Sequence, residues 1–106
     1  MTIWIDIAAL DEIPQRGART VRTAQGGVAV FRIFDDRVFA LDDRCPHKGG
    51  PLSDGIVHGH AVTCPLHNRI VDLATGELTG ADRGTGCAPV VPLQVRDGRI
   101  FLPAEA

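Results

Sequence analysis

Tyrosine is missing from this 106-residue sequence, and serine, lysine, methionine and tryptophan occur once each. Basic charge is carried by ten scattered arginines and Lys48, the net charge is −2, and no basic run exists, so nucleic-acid binding has no electrostatic footprint. No apolar stretch approaches the ~20 residues of a membrane helix. The opening Met1-Thr2-Ile3-Trp4-Ile5-Asp6 has neither the basic region nor the long apolar run of a secretory signal. Cysteines number three, and an odd count argues against a disulfide framework. A soluble, cytoplasmic protein without membrane or nucleic-acid partners is the expectation, with thiols kept reduced and available for metal. There is no G-x-G-x-x-G nucleotide loop and no catalytic acid/base cluster, so no turnover is expected from this chain alone.

Helical periodicity is almost absent as well, while short β-branched runs bounded by turn residues recur. Strands are expected at Ile3–Ile7, Gly17–Thr23, Val28–Phe34, Val38–Leu41, Ile56–His58, Ala61–Thr63, Ile70–Leu73, Val90–Arg96 and Arg99–Leu102. A short helical piece before Pro14 is expected, as are turns at Gln25-Gly26-Gly27, Asp35-Asp36-Arg37 and Asp97-Gly98. Gly80 to Pro89 reads as a surface loop, and Asp35, Asp36, Asp42 and Asp43 read as solvated turn residues. The class is all-β: a single domain over 1–106, a sandwich or barrel-like base with a small cluster-binding subdomain at about 42–73.

What the chain does contain is Cys45-Pro46-His47 and Cys64-Pro65-Leu66-His67. Two Cys and two His satisfy either a tetrahedral zinc or a two-iron cluster. Structural zinc sites group ligands by type, Cys pair then His pair. Here the order is Cys-His, then Cys-His, which suits a [2Fe–2S] centre with two Cys on one iron and two His on the other. Zinc, or no metal, is the alternative. His58 and His60 read as surface histidines. Cys87, without a histidine beside it, reads as structural.

Cys45-Pro46-His47-Lys48-Gly49-Gly50-Pro51-Leu52 and Cys64-Pro65-Leu66-His67-Asn68 resemble the two cluster-binding boxes of Rieske-type ferredoxins. Asp42 to Leu52, Gly55 to Asn68, Asp72 to Glu77, Gly86-Cys87 and Val95 to Leu102 are similar to one branch, the small subunit of assimilatory NAD(P)H-dependent nitrite reductase. The branch usually has an aromatic residue where this chain has Arg69. The resemblance implies that Cys45 and Cys64 bind the inner iron, and His47 and His67 the outer, exposed iron. High-potential members bridge their loops with a disulfide, at positions that are Gly50 and Leu66 here, and aim Ser and Tyr hydroxyls at the cluster. Their absence implies a potential near the low end of the Rieske range, roughly −150 mV.

The implied function is electron transfer in nitrate assimilation, nitrite being reduced to ammonium on a large subunit that carries FAD, an iron–sulfur cluster and siroheme. One alternative is a Rieske ferredoxin between a reductase and an aromatic-ring dioxygenase. Another is a zinc-binding or cluster-free interaction subunit. A partner would dock over His47 and His67, on a flat patch of Pro46, Gly50, Pro51 and Leu66 rimmed by Lys48 and Arg69.

Overall fold

The structure, a computed structural model, describes residues 2–23, 26–46, 49–66, 68–80 and 83–104. Its strands are β1 (Trp4–Ala9), β2 (Gly17–Thr23), β3 (Gly26–Arg32), β4 (Val38–Asp42), β5 (Ile56–His58), β6 (Ala61–Thr63), β7 (Ile70–Asp72), β8 (Val90–Val91), β9 (Gln94–Arg96) and β10 (Arg99–Pro103). They form three antiparallel sheets, in the orders β1-β10-β9, β2-β3-β4-β8 and β5-β6-β7. The expected all-β class holds, with single 3-10 turns at Leu10–Glu12 and Leu52–Asp54.

The molecule is organised around β3. Its Val28, Val30, Ala29 and Phe31 are all buried, because both faces of the strand are covered. Val28 and Val30 pack with Val38, Ala40, Ile100 and Leu102. Ala29 and Phe31 point the other way and pack with Leu41, Leu52, Val62, Val71 and the two cysteines Cys45 and Cys64. This explains a run of apolar residues without polar alternation, which half-buried strands do not show. Burying Phe31 alone contributes about 1.5–3 kcal/mol. The apolar row Val57–Val62–Val71 lines the inner face of the β5-β6-β7 sheet, and that row is what seats the small sheet on β3.

Several boundaries moved. Residues 24–25, between β2 and β3, lie outside the described residues, and Gly26 and Gly27 of the expected turn belong to β3, with Thr23 opposite Gly26. The single strand expected over Val90–Arg96 is two. Val90 and Val91 pair with Leu41 and Ala40, whereas Gln94 and Val95 pair with Phe101 and Ile100. Pro92, which cannot donate to a ladder, lies at the crossing between sheets. The hairpin at Asp97-Gly98 is as expected, with φ of 50° and 73° at the two turn residues. Gly80 to Pro89 is not simply a surface loop: Cys87 bridges to Glu77, Ala88 is buried, and Ala88 N–H donates to Gly76 O at 2.7 Å. That approach needs glycine at 76, where φ is 76° and a Cβ would lie 1.9 Å from Ala88 O.

Candidate metal centre

The two ligand loops have the same construction. In the first, Cys45 N–H donates to Gly50 O at 2.7 Å; in the second, Cys64 N–H donates to Arg69 O at 2.7 Å. Each is thus a six-residue loop closed from its cysteine to the fifth residue after it. The fourth residue after each cysteine is left-handed, Gly49 with φ 76° and Asn68 with φ 56°. Glycine and asparagine are the residues that tolerate this conformation best. The unequal spacing, Cys-x-His against Cys-x-x-His, therefore sits between the same closing hydrogen bond and a left-handed residue at the same position in each loop. His47, His67 and Lys48 lie outside the described residues.

The loops touch. A Cβ on Gly50 would lie 2.7 Å from Leu66 Cδ1, so Leu66 covers Gly50 directly. These are the two positions identified above with the inter-loop disulfide of high-potential relatives. Here an apolar contact stands in its place. A third segment closes the group, since a Cβ on Gly86 would lie 3.1 Å from Pro46 Cβ.

Cys45 and Cys64 are both buried, and their thiols share a hydrogen bond. Burial pushes the Cys64 thiol up to about 11, the neighbouring Cys45 adds to this, and the Leu66 N–H directed at its sulfur works against it. Without metal, Cys64 is therefore protonated at neutral pH, and metal binding must release that proton. Two adjacent buried sulfurs, one already receiving a backbone N–H, fit the sulfur half of a mixed Cys/His cluster site. Such N–H···S contacts tune a cluster's potential.

Other expectations are corrected. Gly50 is buried under Leu66 and is no part of an exposed patch; Pro51 and Leu66 are exposed and Pro46 is half-buried. Arg69, expected at the rim of that patch, is half-buried. Cys87 is exposed, with its thiol near Thr75 O and Ala88 O. His58 and His60 are exposed, as expected; His58 Nε2 lies 2.6 Å from Thr63 Oγ1, and His60 packs edge-on against Phe34 beside Arg37. Asp43 is not a solvated turn residue, since it accepts hydrogen bonds from Ser53 and Thr20. Sequence reading passed over it because nothing local marks that pairing.

Among known proteins, the family model of the Rieske [2Fe–2S] domain matches residues 3–92. The anthranilate 1,2-dioxygenase ferredoxin subunit of Burkholderia cepacia is 33% identical over 103 residues, covering 92% of this chain and 88% of that protein. A chain in the solved complex of reduced oxygenase and oxidised ferredoxin in carbazole 1,9a-dioxygenase superposes with a TM-score of 0.85 at 26% identity, over 97% of this chain and 94% of that one. A Mycobacterium tuberculosis protein assigned as an NADH-dependent nitrite reductase small subunit superposes with a TM-score of 0.85 at 27% identity, over 100% and 98% of the two chains. The zinc alternative gives way to these matches. The chain belongs to the Rieske [2Fe–2S] domain family, and is an electron-transfer protein with a Rieske-type cluster.

Proposed function

We propose that Cys45 and Cys64 hold the inner iron and His47 and His67 the outer iron, and that the chain is the small subunit of an NAD(P)H-dependent nitrite reductase. The cluster, when bound, supplies one-electron acceptance and donation. The chain's own residues bury its sulfur side, exclude water with Leu66 and present the histidine side to a partner. The observation that carries the nitrite reductase reading joins sequence to packing. Asp72–Glu77 and Gly86-Cys87 carry the resemblance to that branch. In space they form one unit, Glu77 bridging to Cys87, which rests on the first ligand loop through Gly86 and Pro46. Electrons would pass from NAD(P)H through the flavin of a large subunit, and nitrite would be reduced at its siroheme. By this reading the partner is that FAD- and siroheme-carrying subunit.

A second reading is favoured by a specific observation: curated relatives at 28–34% identity are ferredoxin components of aromatic-ring dioxygenases. There the partners would be a ferredoxin reductase and an oxygenase. Deletion of the gene separates the two. Loss of growth on nitrite as sole nitrogen source, restored by the parent allele but not by Cys64→Ser, is expected. Normal growth on nitrite with loss of growth on an aromatic carbon source would overturn the proposal in favour of the second reading.

A further inference from the structure

The two ligand loops are closed alike, but their feet are held differently. The second loop springs from a hairpin: Thr63, just before Cys64, is paired with Ile70, so the β6–β7 register fixes both ends. The first loop leaves β4, whose last residue Asp42 still pairs with Val28 of β3, and runs into the 3-10 turn Leu52–Asp54, so among the described residues no ladder joins its two feet. In place of a ladder there is one side chain. Asp43 Oδ1 accepts Ser53 N–H at 2.8 Å, and Oδ2 accepts Ser53 Oγ–H at 2.7 Å. Thr20 Oγ1–H of β2 donates to the same Oδ2 at 3.3 Å, and Asp43 N–H donates to Gly27 O at 3.0 Å.

Asp43 stands two residues before Cys45, and Ser53 three after Gly50, so this carboxylate straps the two feet of the loop together. Through Thr20 and Gly27 it also fastens them to the large sheet. The strap reaches the second loop as well. After Ser53, Gly55 lies against β6, where a Cβ would come within 2.3 Å of Thr63 O, one residue before Cys64. Hydrogen bonds to an ionised acceptor are about twice as strong as neutral ones, and a bidentate pair adds geometric specificity. A carboxylate that closes both feet is therefore suited to set where the Cys45 sulfur sits relative to that of Cys64.

We propose that Asp43 is a positioning residue for the cluster, acting through Cys45, and that Ser53 is its counterpart across the loop. The proposal rests on Cys45 being a ligand. The residues that touch the cluster are not involved in the strap, so its loss changes the geometry of the site without removing a ligand.

The test uses the full chain, loaded anaerobically with its cluster, as parent, Asp43→Ala, Asp43→Asn, Ser53→Ala and Cys45→Ser. Two quantities are read: iron release from the reduced protein to a coloured ferrous chelator, and the EPR g-values. Asp43→Ala is expected to release iron on the order of tenfold faster, the loss of a charge-assisted bond, with shifted g-values. Ser53→Ala, which keeps the Ser53 N–H bond, should fall between Asp43→Ala and the parent. Asp43→Asn keeps an oxygen for that N–H but loses the charge and the second acceptor, and should likewise fall between Asp43→Ala and the parent. Parent-like g-values in Asp43→Ala, whether or not its iron release or melting temperature changes, would overturn the strap and leave at most a general stabilising role. Should Asp43→Ala fail to fold, Ser53→Ala decides by the same two readouts. If Cys45→Ser keeps the parent spectrum, the ligand assignment fails first. If it loses the cluster while the strap variants are silent, only the strap is refuted.

Discussion

Cys64 and Cys87 are chemically the same side chain in opposite settings. Cys64 is fully buried beside Cys45, under the Leu66 N–H, whereas Cys87 is exposed on the bridge to Glu77. Accessibility and thiolate character together govern thiol reactivity. In cluster-loaded protein an aromatic disulfide reagent should therefore modify Cys87 quickly and leave the buried pair untouched. Cys87→Ser should remove that fast reaction and keep iron content and visible spectrum, while Cys64→Ser should lose the cluster. Loss of iron from Cys87→Ser would show that a ligand had been misassigned.

At the scale of elements, the contact between the loops is the sharpest constraint. Leu66 occupies the space that any side chain at position 50 would need. Gly50→Ala must displace Leu66 or open the loop pair, and overpacking of this kind typically costs about 1–3 kcal/mol. Leu66→Ala removes the obstructing atoms. The double variant Gly50→Ala/Leu66→Ala is accordingly expected to hold its cluster better than Gly50→Ala alone, a coupling that a double-mutant cycle on iron release measures directly. Independent, additive effects would mean that the loops do not brace each other.

Across the whole molecule, exposed carboxylates tie the two ends of the chain to each other and the segment before β2 to the β3–β4 turn. Arg99 at the start of β10 grips Asp6 of β1 with bonds of 2.8 and 2.9 Å, and holds the Asp6 carboxyl below its ordinary range. Glu12 is lowered first by the Ala9 N–H and then by Arg19, and Asp36 first by the Gln15 side chain and then by Arg32. A carboxylate whose folded pKa is depressed contributes stability above its unfolded value and loses it as pH falls through the folded one. The melting temperature should thus hold between pH 7 and 5 and decline below about pH 4. Asp6→Asn should decline less steeply than the parent in that acid window, by scanning calorimetry at matched ionic strength. Equal slopes would remove Asp6 from the acid response.

The sequence by itself determined the two cysteine–histidine loops, the all-β class and most strands to within a residue or two. Those features are local: period-two apolar runs, turn residues and ligand spacing are read along the chain, and the Asp97-Gly98 hairpin needs only its own two residues. Tertiary structure alone decided the rest. Val90–Arg96 is one apolar run on paper, yet β4 claims its first part and β10 its last. Gly50 looks free until Leu66, from the other loop, covers it. Asp43 looks like one more solvated aspartate until Ser53 and Thr20, far along the chain in both directions, close on it. Each outcome depends on which distant segment arrives, and backbone donors, acceptors and apolar faces are satisfied by whatever the folded chain brings beside them.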